Sequence, residues 1–266
     1  MSSAVEEHVI YQISNAPMRE YPYPHIFVDN VFPADFYAQL RANWPDSSAL
    51  VSIPETGRVS KGMYAERFVL PFNADGIMKL PEERREFWIE FGNWFMTSHF
   101  LGSMVAKFDR YVRERFGDEV YRYSFEADSL VVRDMTNYAI GPHTDAPHRL
   151  LSMLFYCPDD DSMKHLGTSI YVPLDREFRC EGGPHYPHHR FQKVMTMEYK
   201  PNSLCAFFKN DHSFHGVEPI SDQNVRRDVL LYDIRVLPPK NGEPGVATPR
   251  GMGLKILQRL FGSSQK

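Results

Sequence analysis

A succession of short apolar segments after Gly117 is the feature that most constrains how this chain can fold. The segments have the β-branched and aromatic composition of strands, and turn-rich connections without a helical pattern separate them. Strands at this density are typical of an antiparallel sandwich or barrel. We therefore predict a mainly β fold with a jelly-roll core. Its predicted strands are residues 129–132, 150–156, 168–172, 193–198, 203–208 and 228–236.

The first part of the chain has a different pattern. A short strand is predicted at 26–28, and apolar residues at helical spacing predict a helix at 34–44. The strongest helical pattern begins at Pro81, carries two apolar faces and breaks near Ser98. We expect these helices to buttress the sheet, so that residues 1–118, a core at 119–237 and an extension at 238–266 form a single domain. A short amphipathic helix at 254–261 is a further expectation.

Composition limits the classes of partner. The net charge is −4 and the basic residues are scattered, which argues against nucleic acid as the main partner. The sequence has no apolar run of about 18 residues, so we expect no membrane span. Its start resembles no signal peptide, and its three cysteines form no CxxC pair. These features favour reduced thiols and a cytoplasmic location.

A His-X-Asp tripeptide, His143-Thr144-Asp145, lies just before the strand at 150–156. On an extended strand, residues i and i+2 point the same way, so both side chains can enter one cavity. His215 follows the strand at 203–208, and His212 in the same segment competes with it as a third ligand. We prefer His215 because residues 216–220 lead directly into the final strand. Two imidazoles and one carboxylate suit non-haem Fe(II) that binds a co-substrate and O₂ together, whereas a zinc hydrolase would also use three ligands.

Further motifs surround these three residues. Leu151 to Tyr156, Gly167-Thr168, Asn202-Ser203-Leu204, His215-X-Val217-X-Pro219 and Arg226 complete a pattern that resembles the Fe(II)- and 2-oxoglutarate-dependent dioxygenases. Within that superfamily the pattern looks most like the prolyl 4-hydroxylase-like branch. The resemblance covers roughly residues 120–236, and residues 24–33 also look like the entry segment of that branch. It implies a double-stranded β-helix in which His143, Asp145 and His215 bind Fe(II).

The resemblance also implies a site for 2-oxoglutarate. Arg226 would hold the distal carboxylate of the co-substrate, with Tyr156 donating to it and Thr168 in the same group; Arg227 is the runner-up to Arg226. Many relatives have a tyrosine near the position of Arg133. This arginine is therefore expected to contact the co-substrate or an acidic substrate, or to pair with a nearby aspartate, Asp134 or Asp128.

The implied activity is hydroxylation of an unactivated C–H bond, with release of succinate and CO₂. A small-molecule or carbohydrate-type biosynthetic substrate is preferred, and the alternatives are a free or peptidyl amino acid and a non-catalytic binding module. Candidate substrate contacts are His148, Arg149 and Arg67, together with the long segment 176–192. Its histidines His185, His188 and His189 belong either to a solvated loop or to another metal site.

Overall fold

The computed structural model describes residues 2–237, so the expected extension at 238–266 and its helix at 254–261 lie outside the described residues. The α-helices in the described part are α1 (Ser2–Asn15), α2 (Ala34–Ala42), α3 (Ala74–Ile77), α4 (Glu82–Phe95), α5 (Ser98–Lys107) and α6 (Asp109–Phe116). The strands there are β1 (His25–Asp29), β2 (Val51–Ser52), β3 (Arg67–Pro71), β4 (Ser124–Met135), β5 (Ile140–His143), β6 (Arg149–Tyr156), β7 (Thr168–Pro173), β8 (Phe191–Met197), β9 (Ser203–Phe208), β10 (His215–Val217) and β11 (Arg226–Leu237).

The strands form two antiparallel sheets. The larger sheet has the order β1-β9-β6-β11-β4-β3-β2, and the smaller has the order β5-β10-β7-β8. From β4 to β11 each sheet receives four strands: the chain alternates between the sheets except at β7 and β8, which both belong to the smaller one. The N-terminal strands extend the larger sheet, because β1 pairs with β9 and β3 pairs with β4. The predicted mainly β fold with a jelly-roll core and flanking helices is confirmed.

The side chains of β11 point alternately to its two faces, so this strand contributes residues to two apolar clusters. Leu230, Tyr232 and Ile234 are buried in the apolar cluster that the helices share with the larger sheet. Val229 and the partly buried Leu231 belong instead to the cluster between the two sheets. Because neighbouring side chains of a strand point to opposite faces, each inward-facing position is fixed by the register. The candidate site lies on this second face.

Helix α4 supplies much of the packing on the outer face of the larger sheet. Pro81 precedes it and Glu82 and Glu83 lie in its first turn, where acidic side chains stabilise a helix. Its Phe95 ring lies 4.7 Å from the ring of Tyr232 on β11 and 5.4 Å from that of Phe155 on β6, measured between centroids. The aromatic pattern of this region therefore belongs to the core, and the helices support the strands that carry the site.

Sequence periodicity located most of the longer elements, but it did not predict the short α3, β2, β5 and β10, and the N-terminal helices differ from expectation in two places. The break near Ser98 is confirmed, but a further break at Phe108 separates α5 from α6. Residues 2–15 are helical although no helix was predicted there, and Val9 and Ile13 of that helix are buried. Among the helices within residues 2–237, none has the length and apolar character needed to cross a membrane.

Candidate metal centre

The three predicted metal ligands converge. His143 ends β5 and His215 begins β10, and the two residues face each other in the antiparallel pairing of these strands. Asp145 follows two residues after His143, and its Oδ1 lies 3.9 Å from His143 Nε2 and 3.8 Å from His215 Nε2. Two metal–ligand bonds of about 2.0–2.2 Å can span such separations. Ligand atoms of all three residues lie within 4.8 Å of one another, so one ion can contact them all.

Both imidazoles are held in the orientation that metal binding requires. His143 Nδ1 lies 3.0 Å from the Gly141 carbonyl oxygen, and His215 Nδ1 lies 2.9 Å from the Ser213 carbonyl oxygen. A carbonyl only accepts, so each Nδ1 carries the proton and donates it. Each Nε2 is then left with a lone pair on the side of Asp145.

The carboxylate is oriented in the same way. Ser152 Oγ donates to Asp145 Oδ2 over 2.7 Å, which leaves Oδ1 directed at the two imidazoles. Ser152 lies on the inward face of β6 and was not predicted as a site residue. The signal that could have identified it is a single polar residue within an apolar strand. Buried partners of this kind fix a metal ligand before the metal binds.

Electrostatics favours the protonation states that metal ligands need. Burial, and then the neighbouring His215, lowers the pKa of His143 to about 3. Burial acts to raise the pKa of Asp145, but His215, Arg149, His143 and the Ser152 hydrogen bond together hold it well below its usual range. At neutral pH His143 is therefore a neutral donor and Asp145 is an anion, as divalent metal binding requires.

A cavity of about 520 Å³ contains the three ligands. Part of its wall is apolar and includes Leu130, Leu154, Phe207, Val217 and Leu231. The rest is strongly cationic, with four arginines: Arg58, Arg67, Arg149 and Arg235. A volume of this size suits a small-molecule site.

The competing ligand His212 lies elsewhere. It lines a different groove of about 700 Å³, beside Lys209 and Asp211, and none of the three ligands reaches that groove. Its side chain is 42% exposed and its Nδ1 lies 2.9 Å from Asp211 Oδ1. The structure therefore favours His215 over His212.

The structure favours the second of the two adjacent arginines on β11, Arg227, over Arg226 as the candidate for binding the co-substrate. Arg226 is exposed to solvent, whereas Arg227 is fully buried. Arg227 shares the face of β11 that carries Leu231, Asp233 and Arg235, all of which line the cavity. The prediction that Arg226 holds the co-substrate therefore does not fit the geometry, and Arg227 takes its place as the candidate.

Arg227 has several neighbours on that inner face. Its Nε donates to the Leu166 carbonyl oxygen over 2.6 Å and its Nη1 donates to Asp134 Oδ2 over 2.8 Å. Its buried Nη2 has no hydrogen-bond partner within residues 2–237. Its guanidinium carbon lies 5.6 Å from the centre of the Tyr156 ring. Tyr156 Oη in turn donates to Thr168 Oγ1 over 2.7 Å, and Thr168 lines the cavity. Two of the residues assigned to the co-substrate, Tyr156 and Thr168, thus lie beside Arg227, the runner-up to Arg226.

Arg133 does not belong to this group. It lies on the opposite face of β4, where its Nε and Nη2 donate to the two carboxylate oxygens of Asp228 over 2.7 and 3.1 Å. Its Nη1 donates to Ser47 Oγ over 3.0 Å. The prediction that Arg133 contacts the co-substrate is corrected by this pairing. Its acidic partner comes from the neighbouring strand rather than from Asp134 or Asp128.

The three candidate substrate contacts all line the cavity. Arg67 donates from Nε to Asp134 Oδ1 over 2.6 Å and stacks 4.4 Å from the centre of the Tyr138 ring. Arg149 pairs with Asp233, and His148 is exposed at the rim.

Arg58 and Arg235 also line the cavity but were not predicted from the sequence. Arg235 could have been found, because it is a charged residue two positions after Asp233 within an apolar strand. Tyr138 was also missed; it lines the cavity, and its buried hydroxyl has no hydrogen-bond partner among the residues that the structure describes.

Part of the long segment 176–192 packs directly against the tripeptide His143-Thr144-Asp145 and the proline before it. Thr144 Oγ1 donates to the Cys180 carbonyl oxygen over 2.8 Å, and the Tyr186 amide donates to the Pro142 carbonyl oxygen over 2.9 Å. The ring of His185 lies 4.6 Å from that of His143, and its Nε2 lies 2.7 Å from Tyr64 Oη. The segment therefore covers one side of the site, and His185 within it is half-buried.

Gly182 leaves no space for a side chain beside Asp145, and we expect Gly182→Ala to lower iron affinity. Its φ is +139°, and an added Cβ would lie 2.2 Å from the Asp145 carbonyl oxygen, so the segment or the ligand must move. Gly183→Ala is the matched control, because Gly183 has a φ of +116° but open space around its Cβ. Both changes strain the backbone by roughly 1–3 kcal/mol. Iron titrations that weaken equally in both variants would show that only strain matters.

Comparisons with known proteins give structural likenesses only. No protein-family model and no curated protein matches the sequence. A Trichoplax adhaerens prolyl hydroxylase, solved with a hypoxia inducible factor oxygen degradation domain peptide, is 13% identical with a TM-score of 0.47, covering 88% of this chain and 90% of that one. A Pseudomonas putida prolyl-4-hydroxylase is 12% identical with a TM-score of 0.46, covering 88% and 99%. The Fe(II)/(alpha)ketoglutarate-dependent dioxygenase TqaL is 14% identical with a TM-score of 0.48, covering 93% and 92%. At such identities and TM-scores the likeness carries no conclusion about activity or substrate.

Proposed function

We propose that this chain is an Fe(II)- and 2-oxoglutarate-dependent oxygenase. The observation that carries the proposal is the set of His143, Asp145 and His215, which present two unprotonated Nε2 atoms and one carboxylate oxygen toward a common point in a cavity. Two imidazoles and one carboxylate on one side of a metal leave positions open for other ligands, as non-haem Fe(II) oxygenases require. The donor set therefore fits ferrous iron.

Iron bound by these residues would supply the oxidation of an unactivated C–H bond, coupled to conversion of 2-oxoglutarate and O₂ into succinate and CO₂. The chain itself holds and orients the reacting groups. Ser152 fixes the carboxylate of Asp145, and the two backbone carbonyls fix the imidazoles. The apolar part of the cavity wall limits access of water to the metal.

A surplus of buried positive charge marks the candidate site for the distal carboxylate of 2-oxoglutarate. Arg67 and Arg227 both pair with Asp134, so two guanidinium groups share one carboxylate. An uncompensated buried cation is costly, and a bound carboxylate would neutralise it. In the described part of the chain, the Nη2 of Arg227 and the hydroxyl of Tyr138 have no hydrogen-bond partners, so both can donate to a bound carboxylate. Thr168 and Tyr156 complete this group.

Arg227→Ala should raise the KM for 2-oxoglutarate by roughly 10- to 100-fold, because a hydrogen bond to a charged group contributes about 1.5–3 kcal/mol. Iron content should change little, since Arg227 contacts none of the three metal ligands. Arg226→Ala is the matched control and should leave the KM unchanged, because its side chain is exposed. A larger effect from Arg226→Ala would restore the original assignment.

For the primary substrate we propose a small molecule, in keeping with a cavity of about 520 Å³. Hydroxylation of a free or peptidyl amino acid remains the alternative. Turnover assays distinguish the two substrate classes: turnover of free amino acids or short peptides would support the alternative, and turnover of other small metabolites would support the proposal.

Succinate formation from 2-oxoglutarate tests the proposed function directly. The purified protein should be loaded anaerobically with Fe(II) or with Zn(II) and then exposed to air with 2-oxoglutarate. We expect slow succinate formation with iron alone. Zinc binding without any iron-dependent succinate would point to a hydrolase instead, and binding of 2-oxoglutarate without turnover would point to a non-catalytic module.

A further inference from the structure

A second group of arginines lies at the metal end of the cavity, away from Asp134. Arg58, Arg149 and Arg235 line this part of the wall, and we refer to them as the arginine wall. Arg235 and Arg227 lie on the same face of β11 and are eight residues apart, which corresponds to roughly 27 Å along an extended strand. The arginine wall is therefore separate from the proposed site for the distal carboxylate of 2-oxoglutarate.

The arginine wall stands beside the metal-binding carboxylate. Ser152, which donates to Asp145, lies directly opposite Asp233 in the pairing of β6 with β11, and Asp233 pairs with Arg149. Side chains opposite one another on one face of a sheet lie about 4.5–5.5 Å apart at Cβ. A group bound by Arg149 is therefore held next to the metal.

The arginine wall has more positive than negative charge. Asp128 accepts hydrogen bonds from Nη1 and Nη2 of Arg58, over 2.5 and 2.7 Å, and it also pairs with Arg235. Asp233 pairs with Arg149, so three guanidinium groups face two carboxylates when Asp145 is engaged as a metal ligand. The side chains of Arg149 and Asp233 are only 17% and 4% exposed, which limits the compensation that water can give.

Unused donors lie within the same group. The buried Nε atoms of Arg149 and Arg235 have no hydrogen-bond partner among the described residues. Buried donors in folded proteins are nearly always satisfied, and an unsatisfied one is costly. A bound oxyanion would accept hydrogen bonds from these unused donors and would also neutralise the surplus positive charge.

We propose that the arginine wall binds an anionic group of the primary substrate, a carboxylate or a phosphate, and so places a nearby carbon of that substrate at the metal. This inference rests on the proposed function and adds the substrate class to it. The substrate is a small oxyanion-bearing molecule, bound together with 2-oxoglutarate rather than in its place. Attraction of the anion to a cationic cavity also predicts binding that weakens as salt rises.

Binding of simple anions tests the inference without turnover. The protein is loaded with Zn(II) and saturating 2-oxoglutarate, and inorganic phosphate, butanoate and the neutral butanamide are titrated in by calorimetry. We expect phosphate or butanoate to bind and butanamide not to bind. The preferred anion then identifies the chemical group. Equal binding of butanamide and butanoate, or displacement of 2-oxoglutarate by the anions, would overturn the inference.

Variants locate the binding site. Arg58→Gln and Arg235→Gln each leave Asp128 with one arginine partner, so both variants should fold, and each should weaken anion binding by about tenfold or more. Arg226→Gln, at an exposed position, should bind the anions as the unmodified protein does. Unchanged affinity in both wall variants would overturn the inference.

Succinate formation in the same preparations separates the two proposals. If iron-dependent succinate forms but no anion binds alongside 2-oxoglutarate, the substrate class is wrong and the oxygenase assignment stands. If anions bind to the arginine wall but no succinate forms, the oxygenase assignment fails while the anion site stands.

Discussion

Asp145→Ala should abolish iron-dependent formation of succinate. The change removes the only anionic ligand of the proposed centre and leaves the two imidazoles beside the cationic Arg149. Loss of groups that merely support metal ligands costs about 10–100-fold in metal affinity or activity, so loss of a ligand should cost more. Iron content after anaerobic reconstitution and succinate formation measure the two effects. Full activity in this variant would refute the assignment of the metal centre.

Ser152→Ala provides a graded control for that experiment. It keeps the carboxylate but removes the hydrogen bond to Asp145 Oδ2. We expect a loss of about 10–100-fold, smaller than that of Asp145→Ala, because the ligand is present but less well oriented. An effect as large as that of Asp145→Ala would indicate that the serine change disrupts folding, which a thermal unfolding measurement would show.

The candidate metal ligands could be proposed from the sequence because the chemistry of each residue and the spacing of His143 and Asp145 are local features. His143 and Asp145 are two residues apart, and each predicted ligand adjoins a strand that the apolar pattern had located. What the sequence could not supply was the pairing of His143 with His215 across β5 and β10. That pairing depends on register between strands distant in the chain, and the resemblance to a known family stood in for it.

The arginines show where sequence reasoning stops. Arg226 and Arg227 are adjacent, so one must face the core and the other solvent, but a shift of one residue exchanges them. Arg133 poses the same problem, because its aspartate partner Asp228 is nearly a hundred positions away and opposite it in the pairing of β4 with β11. The sequence identifies the arginines and aspartates, but the register between strands determines which of them form pairs.

Asp134→Asn should reduce the free energy of unfolding by roughly 3–5 kcal/mol, the usual effect of breaking a buried ion pair from one side. Asp134 is fully buried and accepts from Arg67 over 2.6 and 3.0 Å and from Arg227 over 2.8 Å. Asparagine keeps the shape but leaves two buried guanidinium groups without an anion. Urea unfolding with an unchanged m-value measures the loss. Asp159→Asn is the matched control: its side chain is 73% exposed, so its pair with Arg41 should contribute at most about 1 kcal/mol.

The double variant Asp134→Asn with Arg227→Met separates stability from binding. Removing the fully buried cation as well should recover part of the lost stability, because an apolar side chain costs less at that position than an unpaired charge. The same variant should bind 2-oxoglutarate poorly, since it lacks the arginine assigned to the distal carboxylate. Recovery of stability together with normal 2-oxoglutarate affinity would show that Arg227 serves only the fold. The co-substrate carboxylate would then have to be held by Arg67, the other arginine on Asp134, which lines the cavity itself.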